Sequence, residues 1–121
     1  MNYKYRILLL EDNELALDKL SRQLELLIDC KIDKVTNGKS AIDKFNNNHY
    51  DLIIADIFVP ILSGLDFIYE IRKYNKKIPI IVTTACTDKT FREKSEKLNV
   101  NEFMIKPIFI KEILIKIKKL I

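Results

Sequence analysis

Apolar residues along this chain fall alternately into short consecutive runs and into stripes spaced by threes and fours. The first run, Tyr5 to Leu10, is apolar on both faces, as a central parallel strand requires, and it stops at Glu11-Asp12-Asn13. Beyond it, Leu17, Leu20, Leu24, Leu27 and Ile28 predict one buried face of a helix. Lys31 to Val35 reads as a short strand of alternating polarity suited to a sheet edge, and Asn37-Gly38 as a turn before a helix over Lys39 to Asn46. Leu52 to Ala55 is a buried strand that also ends in a carboxylate, Asp56. Pro60 and Gly64 punctuate the loop before a helix over Leu65 to Lys73, with Leu65, Ile68 and Ile71 on its inner face. Pro79 opens a strand, Ile80 to Thr83, followed by Thr84 and Ala85. A weakly amphipathic helix from Lys89 to Leu98 is stopped by Asn99, a residue that tolerates the left-handed conformation. Glu102 to Ile105 makes a last strand, Lys106-Pro107 a turn, and Ile110, Ile113, Leu114, Ile117 and Leu120 stripe a final helix.

Strict alternation of strands and helices predicts an α/β fold with a doubly wound five-stranded parallel sheet, and strand order 2-1-3-4-5 is expected because five-stranded sheets of this kind often have it. Its 121 residues suffice for one domain over 1–121, with no disulfide or structural metal needed to fold it. At 48% hydrophobic and 31% charged, the composition is that of an ordinary soluble protein. No apolar run approaches the roughly 20 residues of a membrane span. Ile7 to Leu10 is too short for a signal peptide, so the expected location is cytoplasmic, with no membrane contact. Cys30 and Cys86 form no CxxC pair and His49 is the only histidine, which excludes the usual zinc and redox patterns and leaves two buried free thiols as the expectation. A net charge of +4 is spread along the chain, there is no helix-turn-helix, and no direct contact with nucleic acid is expected. Lys111, Lys116, Lys118 and Lys119 suit the end of the last helix and call for no partner.

In a parallel sheet every residue just past a strand's carboxyl end lies on one edge, and Glu11, Asp12, Asp56, Thr84 and Lys106 all occupy such positions. With strands 1 and 3 adjacent, the acidic pair falls beside Asp56. Three carboxylates so close repel one another unless a cation relieves them. Oxygen ligands without thiolate or imidazole favour a hard ion such as Mg²⁺, which also neutralises a phosphoryl group approaching a carboxylate nucleophile. Asp56 is then chemically competent to carry an acyl phosphate. Lys106 supplies fixed positive charge for the phosphoryl oxygens and Thr84 a hydroxyl donor.

Glu11-Asp12, Asp56 within DLIIADIFVP, Thr84 within IIVTTA and Lys106-Pro107 within EFMIKP occur in the order and at the strand ends found in one family. On these residues the chain resembles, over essentially its whole length, the CheY-like receiver domain of two-component response regulators. The resemblance implies a flavodoxin-like (βα)5 fold in which Asp56 is the phosphoacceptor. It further implies that Glu11, Asp12, Asp56 and the backbone carbonyl of Phe58 surround Mg²⁺, Glu11 acting through water. Thr84 follows the phosphoryl group inward, and Phe103 occupies the position of the family's aromatic switch, altering the surface of the fourth helix, fifth strand and fifth helix. The implied donor is a sensor histidine kinase, a phosphotransfer protein or a small acyl phosphate. The implied reader is an output domain or downstream protein, and a dimer through the same surface is allowed. Such a domain is no enzyme beyond its own Mg²⁺-dependent phosphotransfer and autodephosphorylation. The loop IFVPILSG lacks the glycine often found after its proline, and Ile108 stands where Phe is frequent. Phe58 and Cys86 offer nothing to orient hydrolytic water, which predicts slow loss of the phosphoryl group.

Taken singly, each site residue has a plainer role: Asp12-Asn13 as an N-cap, Asp56 as a turn residue, Thr84 as a loop cap, Phe103 as core. Separate capping roles give no reason for acids, hydroxyl and lysine to meet on one edge. A haloacid-dehalogenase-type phosphatase would place an aspartate where Phe58 stands. An FMN binder would need a Ser-, Thr- or Gly-rich loop where Glu11-Asp12-Asn13 stands. The remaining alternative is a degenerate receiver that serves only as a phosphorylation-independent protein-interaction module.

Overall fold

A computed structural model of the chain describes residues 3–121, so residues 1–2 of the expected domain lie outside the described residues. The strands are β1 (Tyr5–Leu10), β2 (Cys30–Val35), β3 (Leu52–Asp56), β4 (Ile80–Thr84) and β5 (Glu102–Ile105). Between and after them lie α1 (Glu14–Leu27), α2 (Gly38–Asn47), α3 (Gly64–Arg72), α4 (Lys89–Lys97) and α5 (Ile110–Leu120). The sheet runs β2-β1-β3-β4-β5 with every pairing parallel, the order expected from the sequence. Among the described residues no helix is long and apolar enough to cross a membrane.

Two cores result, because alternate residues of strands buried on both faces point to opposite sides. Leu8, Leu10, Ile53, Ala55, Ile80 and Val82 pack with α2 and α3 residues such as Ala41, Phe67, Ile68 and Ile71. Ile7, Leu9, Leu52, Ile54 and Ile81 meet Leu17 and Leu24 of α1 and Ile113 and Ile117 of α5. Register then sets the functional edge. Leu10 is level with Ala55, so Glu11 and Asp56 emerge side by side, and Thr84 is level with Ile105, so Lys106 follows one step later.

Several local expectations are corrected. Leu27 is exposed at the end of α1, and Ile28 is that helix's C-cap. Asn37 caps α2, accepting a hydrogen bond from the Ser40 N–H at 2.8 Å, and Gly38 is already helical. Glycine is needed there because a Cβ would lie 2.0 Å from the Leu62 carbonyl oxygen. Lys116 and Lys119 are not free: both pair with Glu102 at 3.0 Å, holding α5 against β5. Cys30 is buried as expected, but Cys86 is only half-buried.

Strand β2 does not alternate cleanly, because Asp33 is buried. Its carboxylate accepts the Tyr50 hydroxyl at 2.6 Å and the Arg6 Nε–H at 3.0 Å, joining β2, β1 and the entrance to β3. Burial alone raises the Asp33 pKa, but the hydrogen bonds from Tyr50 and Arg6 outweigh it and hold the carboxyl below its usual range. Arg72 is a second buried charge, and no carboxylate partners it among the described residues. It donates instead to four main-chain carbonyls, those of Asn75, Ile78, Leu98 and Asn99, at 2.8–3.2 Å. One guanidinium thus ties the end of α3 and the approach to β4 to the end of α4.

Arg72→Ala is expected to cost about 3 kcal/mol in urea unfolding, since buried carbonyls lose charged donors. Arg72→Lys should recover less than half, because an ammonium cannot reproduce the planar fork. For Asp33 the sign follows from a lowered folded-state pKa. Its stabilisation is fully present above the ordinary value of about 4 and is lost as pH falls through the lowered value. The stability gap between wild type and Asp33→Asn should therefore be constant near neutrality and close only in acid; a gap that widens in acid contradicts the assignment.

Candidate functional site

Three carboxylates converge where β1 and β3 end. Glu11, Asp12 and Asp56 each offer an oxygen, and these atoms lie within 4.8 Å of one another. Glu11 and Asp56 are buried, whereas Asp12 is exposed. The cap of α1 is Asn13, whose side chain accepts the Ala16 N–H at 3.0 Å, so Asp12 is not consumed in capping. The Asn13 N–H itself binds Glu11 Oε2 at 3.0 Å, and the Phe58 N–H binds Asp56 Oδ1 at 3.1 Å. Main-chain donors thereby hold the two buried carboxylates in fixed orientations.

Lys106 reaches into this cluster from the end of β5. Its Nζ lies 2.6 Å from Glu11 Oε1 and 2.7 Å from Asp56 Oδ2. Burial disfavours its charged form, yet the hydrogen bonds to Asp56 and Glu11 outweigh that cost and raise its pKa. One ammonium against three carboxylates leaves two negative charges uncompensated. The donor set is all oxygen and half-enclosed, which fits a hard divalent ion of the Mg²⁺ kind and suits neither zinc nor a soft metal.

Thr84 is fully buried at the end of β4, and its hydroxyl oxygen accepts the Cys86 N–H at 3.1 Å. Phe103 sits further back on β5, level with Val82 and half-buried, with the Arg92 guanidinium 4.6 Å from its ring centre. The structure therefore joins Glu11, Asp12, Asp56 and Lys106 directly, and Phe58 through its N–H. Thr84 and Phe103 stand on the adjoining strands, engaged with other partners.

The loop from β3 to α3 folds back on β3. Gly64 N–H donates to the Ile57 carbonyl at 2.8 Å, and a Cβ on Gly64 would meet the Asp56 carbonyl oxygen at 2.0 Å. Only glycine permits that approach. Ile61, directly after Pro60, adopts φ 71° and is 76% exposed. A β-branched residue in the left-handed region is strained. Nothing in the sequence Pro60-Ile61 announces this positive φ, which the folded loop imposes.

Residues 7–118 match the model described as response regulator receiver domain. The chain is 33% identical over 105 residues to the sensor protein EvgS of Escherichia coli, covering 87% of this chain and 9% of that protein. It is 30% identical over 119 residues to the response regulator ArlR of Staphylococcus saprophyticus, covering 96% of this chain and 52% of that one. The chain thus spans about half or less of the length of these curated relatives. Among solved structures, the response regulator protein TrrA of Thermotoga maritima in complex with Mg(2+)-BeF has a TM-score of 0.88 and 34% identity, covering 98% of this chain and 100% of that one. The non-phosphorylated HemR receiver domain of Leptospira biflexa has a TM-score of 0.89 and 30% identity, covering 97% and 94%.

Relief of the strain at position 61 is measurable. Ile61→Gly is expected to stabilise the fold by about 1 kcal/mol, the left-handed penalty less the added freedom of the unfolded chain. Ile61→Ala, which keeps a Cβ, should gain little. A lower urea midpoint for Ile61→Gly contradicts the conformational account.

Proposed function

This chain belongs to the response regulator receiver domain family, and from that premise we propose that it is a phosphorylation-operated switch with Asp56 as the acceptor. The observation that carries the proposal is the position of the Asp56 carboxylate, beside Glu11 and Asp12 on one side and 2.7 Å from Lys106 on the other. Glu11, Asp12, Asp56 and the Phe58 carbonyl would hold Mg²⁺, Glu11 through water, and the relative solved with Mg(2+)-BeF supports that reading. When bound, Mg²⁺ supplies charge neutralisation for the entering phosphoryl group.

An Asp56 oxygen forms the new bond to phosphorus as the bond to the donor's leaving atom breaks, giving an acyl phosphate. The Phe58 N–H orients the carboxylate, and Lys106 leaves its ion pair with Asp56 to meet the phosphoryl oxygens. Thr84 exchanges the Cys86 N–H for a phosphoryl oxygen, and Phe103 turns inward beside it, altering the surface of α4, β5 and α5. The incoming dianion favours that arrangement because it bonds the displaced hydroxyl and the ammonium only there.

In this reading residues 1–121 form one cytoplasmic receiver domain, supplied by a sensor histidine kinase or phosphotransfer protein. An output domain or downstream protein reads the α4–β5–α5 face, which also serves any dimer. The chain promotes only its own phosphotransfer and dephosphorylation, and it touches neither membrane nor nucleic acid itself.

Incubation with acetyl phosphate and Mg²⁺ should add about 80 Da to the wild-type intact mass and nothing to Asp56→Asn. Chelation of the metal should abolish the adduct. Equal labelling of both proteins, or none on the wild type with any phosphoramidate or acyl phosphate donor, rejects Asp56 as acceptor.

A further inference from the structure

We infer that Phe91, on the first turn of α4, is a positioning residue for the phosphoacceptor site, acting through the ring of Phe58. The inference rests on the functional reading above and extends it to a residue outside the acidic cluster.

Phe58 and Phe91 meet edge to face, with ring centres 5.0 Å apart and planes at 76°. Phe58 is 50% exposed, and its main-chain N–H bonds Asp56 Oδ1 at 3.1 Å. The residue whose ring is held by α4 is therefore the residue whose backbone orients the acceptor carboxylate. A plain packing role accounts for Phe91 touching the rim of the core formed by Phe67, Ile68 and Val82. It does not account for the helix around it. In the sequence KTFREKSEK only Ser95 is buried, so Phe91 is the one large apolar anchor that α4 itself provides. That anchor reaches the loop after Asp56. Residue spacing helps, because Ser95 Oγ donates to the Phe91 carbonyl at 2.8 Å and fixes the turn that carries the ring.

Loss of the Phe91 ring frees Phe58 to move, and the loop that should present its carbonyl and N–H becomes less ordered before any ligand binds. Mg²⁺ affinity should then fall, although no carboxylate has been altered.

The test is a Mg²⁺ titration followed by amide chemical shifts of residues 56–59, on wild type, Phe91→Ala, Phe58→Ala and the double variant, with thermal unfolding of each. Phe58→Ala keeps the backbone and removes a half-exposed ring, so it carries the test should Phe91→Ala fold poorly. The expected result is a dissociation constant raised about three- to tenfold in either single variant, matching the worth of an aromatic pair. The double variant should be no weaker than the singles, because both remove one contact. Unchanged Mg²⁺ affinity in both folded single variants overturns the inference and leaves the function intact. Additive losses in the double variant also overturn it, since the two rings would then act separately. A wild type that binds no Mg²⁺ removes the functional reading and this inference with it.

Discussion

The ammonium of Lys106, 2.6 Å from Glu11 and 2.7 Å from Asp56, is the contact on which the functional edge depends. A parallel sheet collects every strand's carboxyl end on one side, and here that side gathers two buried carboxylates and a third at the rim. Buried like charges resist such an arrangement. Lys106 begins two strand positions from β3 and three from β1, and its long side chain spans that distance to neutralise part of the charge. Because it only partly compensates the cluster, the site remains attractive to a divalent cation. Because the same ammonium pairs with both Glu11 and Asp56, one residue ties the ends of β1 and β3 to the end of β5.

Much of this was legible in the amino-acid order. Strands buried on both faces read as continuous apolar runs, and their abrupt ends at Glu11, Asp56 and Thr84 mark the edge without knowledge of tertiary contacts. A parallel sheet follows from alternation, and the adjacency of β1 and β3 follows from the strand order common to such sheets. What escaped was decided by partners distant in sequence. Asp33 looked like a solvated strand residue because Arg6 and Tyr50, which make its burial tolerable, lie 27 and 17 positions away. Lys116 and Lys119 looked like dipole charges until β5 brought Glu102 beneath them.

Backbone demands were only half legible for a related reason. Gly64 could be noticed as a punctuating glycine, yet its need comes from the Asp56 carbonyl, which only the folded loop brings to its Cα. Ile61 carries a positive φ that its side chain disfavours, so the conformation is imposed by the loop rather than chosen locally. The loop after Asp56 is thus held from outside: by Gly64 against β3, by Gly38 of α2 against Leu62, and by Phe91 of α4 against Phe58.

Helix α4 is attached unequally at its two ends. Past its carboxyl end, Arg72 grips the carbonyls of Leu98 and Asn99, and the Asn101 side chain accepts the Ile80 N–H at 2.8 Å. At its amino end the attachments include the Phe91 ring, against Phe58 and the rim of the core, and an exposed guanidinium stacked on Phe103. Contacts of that kind are each worth about 1 kcal/mol or less at a surface, against several for a buried guanidinium satisfied by four carbonyls. The amino-terminal half of α4 is thus held by weaker contacts than its carboxyl end. Consecutive residues there touch the loop after Asp56 and the ring of Phe103. The strong bonds in this part of the fold therefore lie at the end of α4 away from the Phe58 and Phe91 rings.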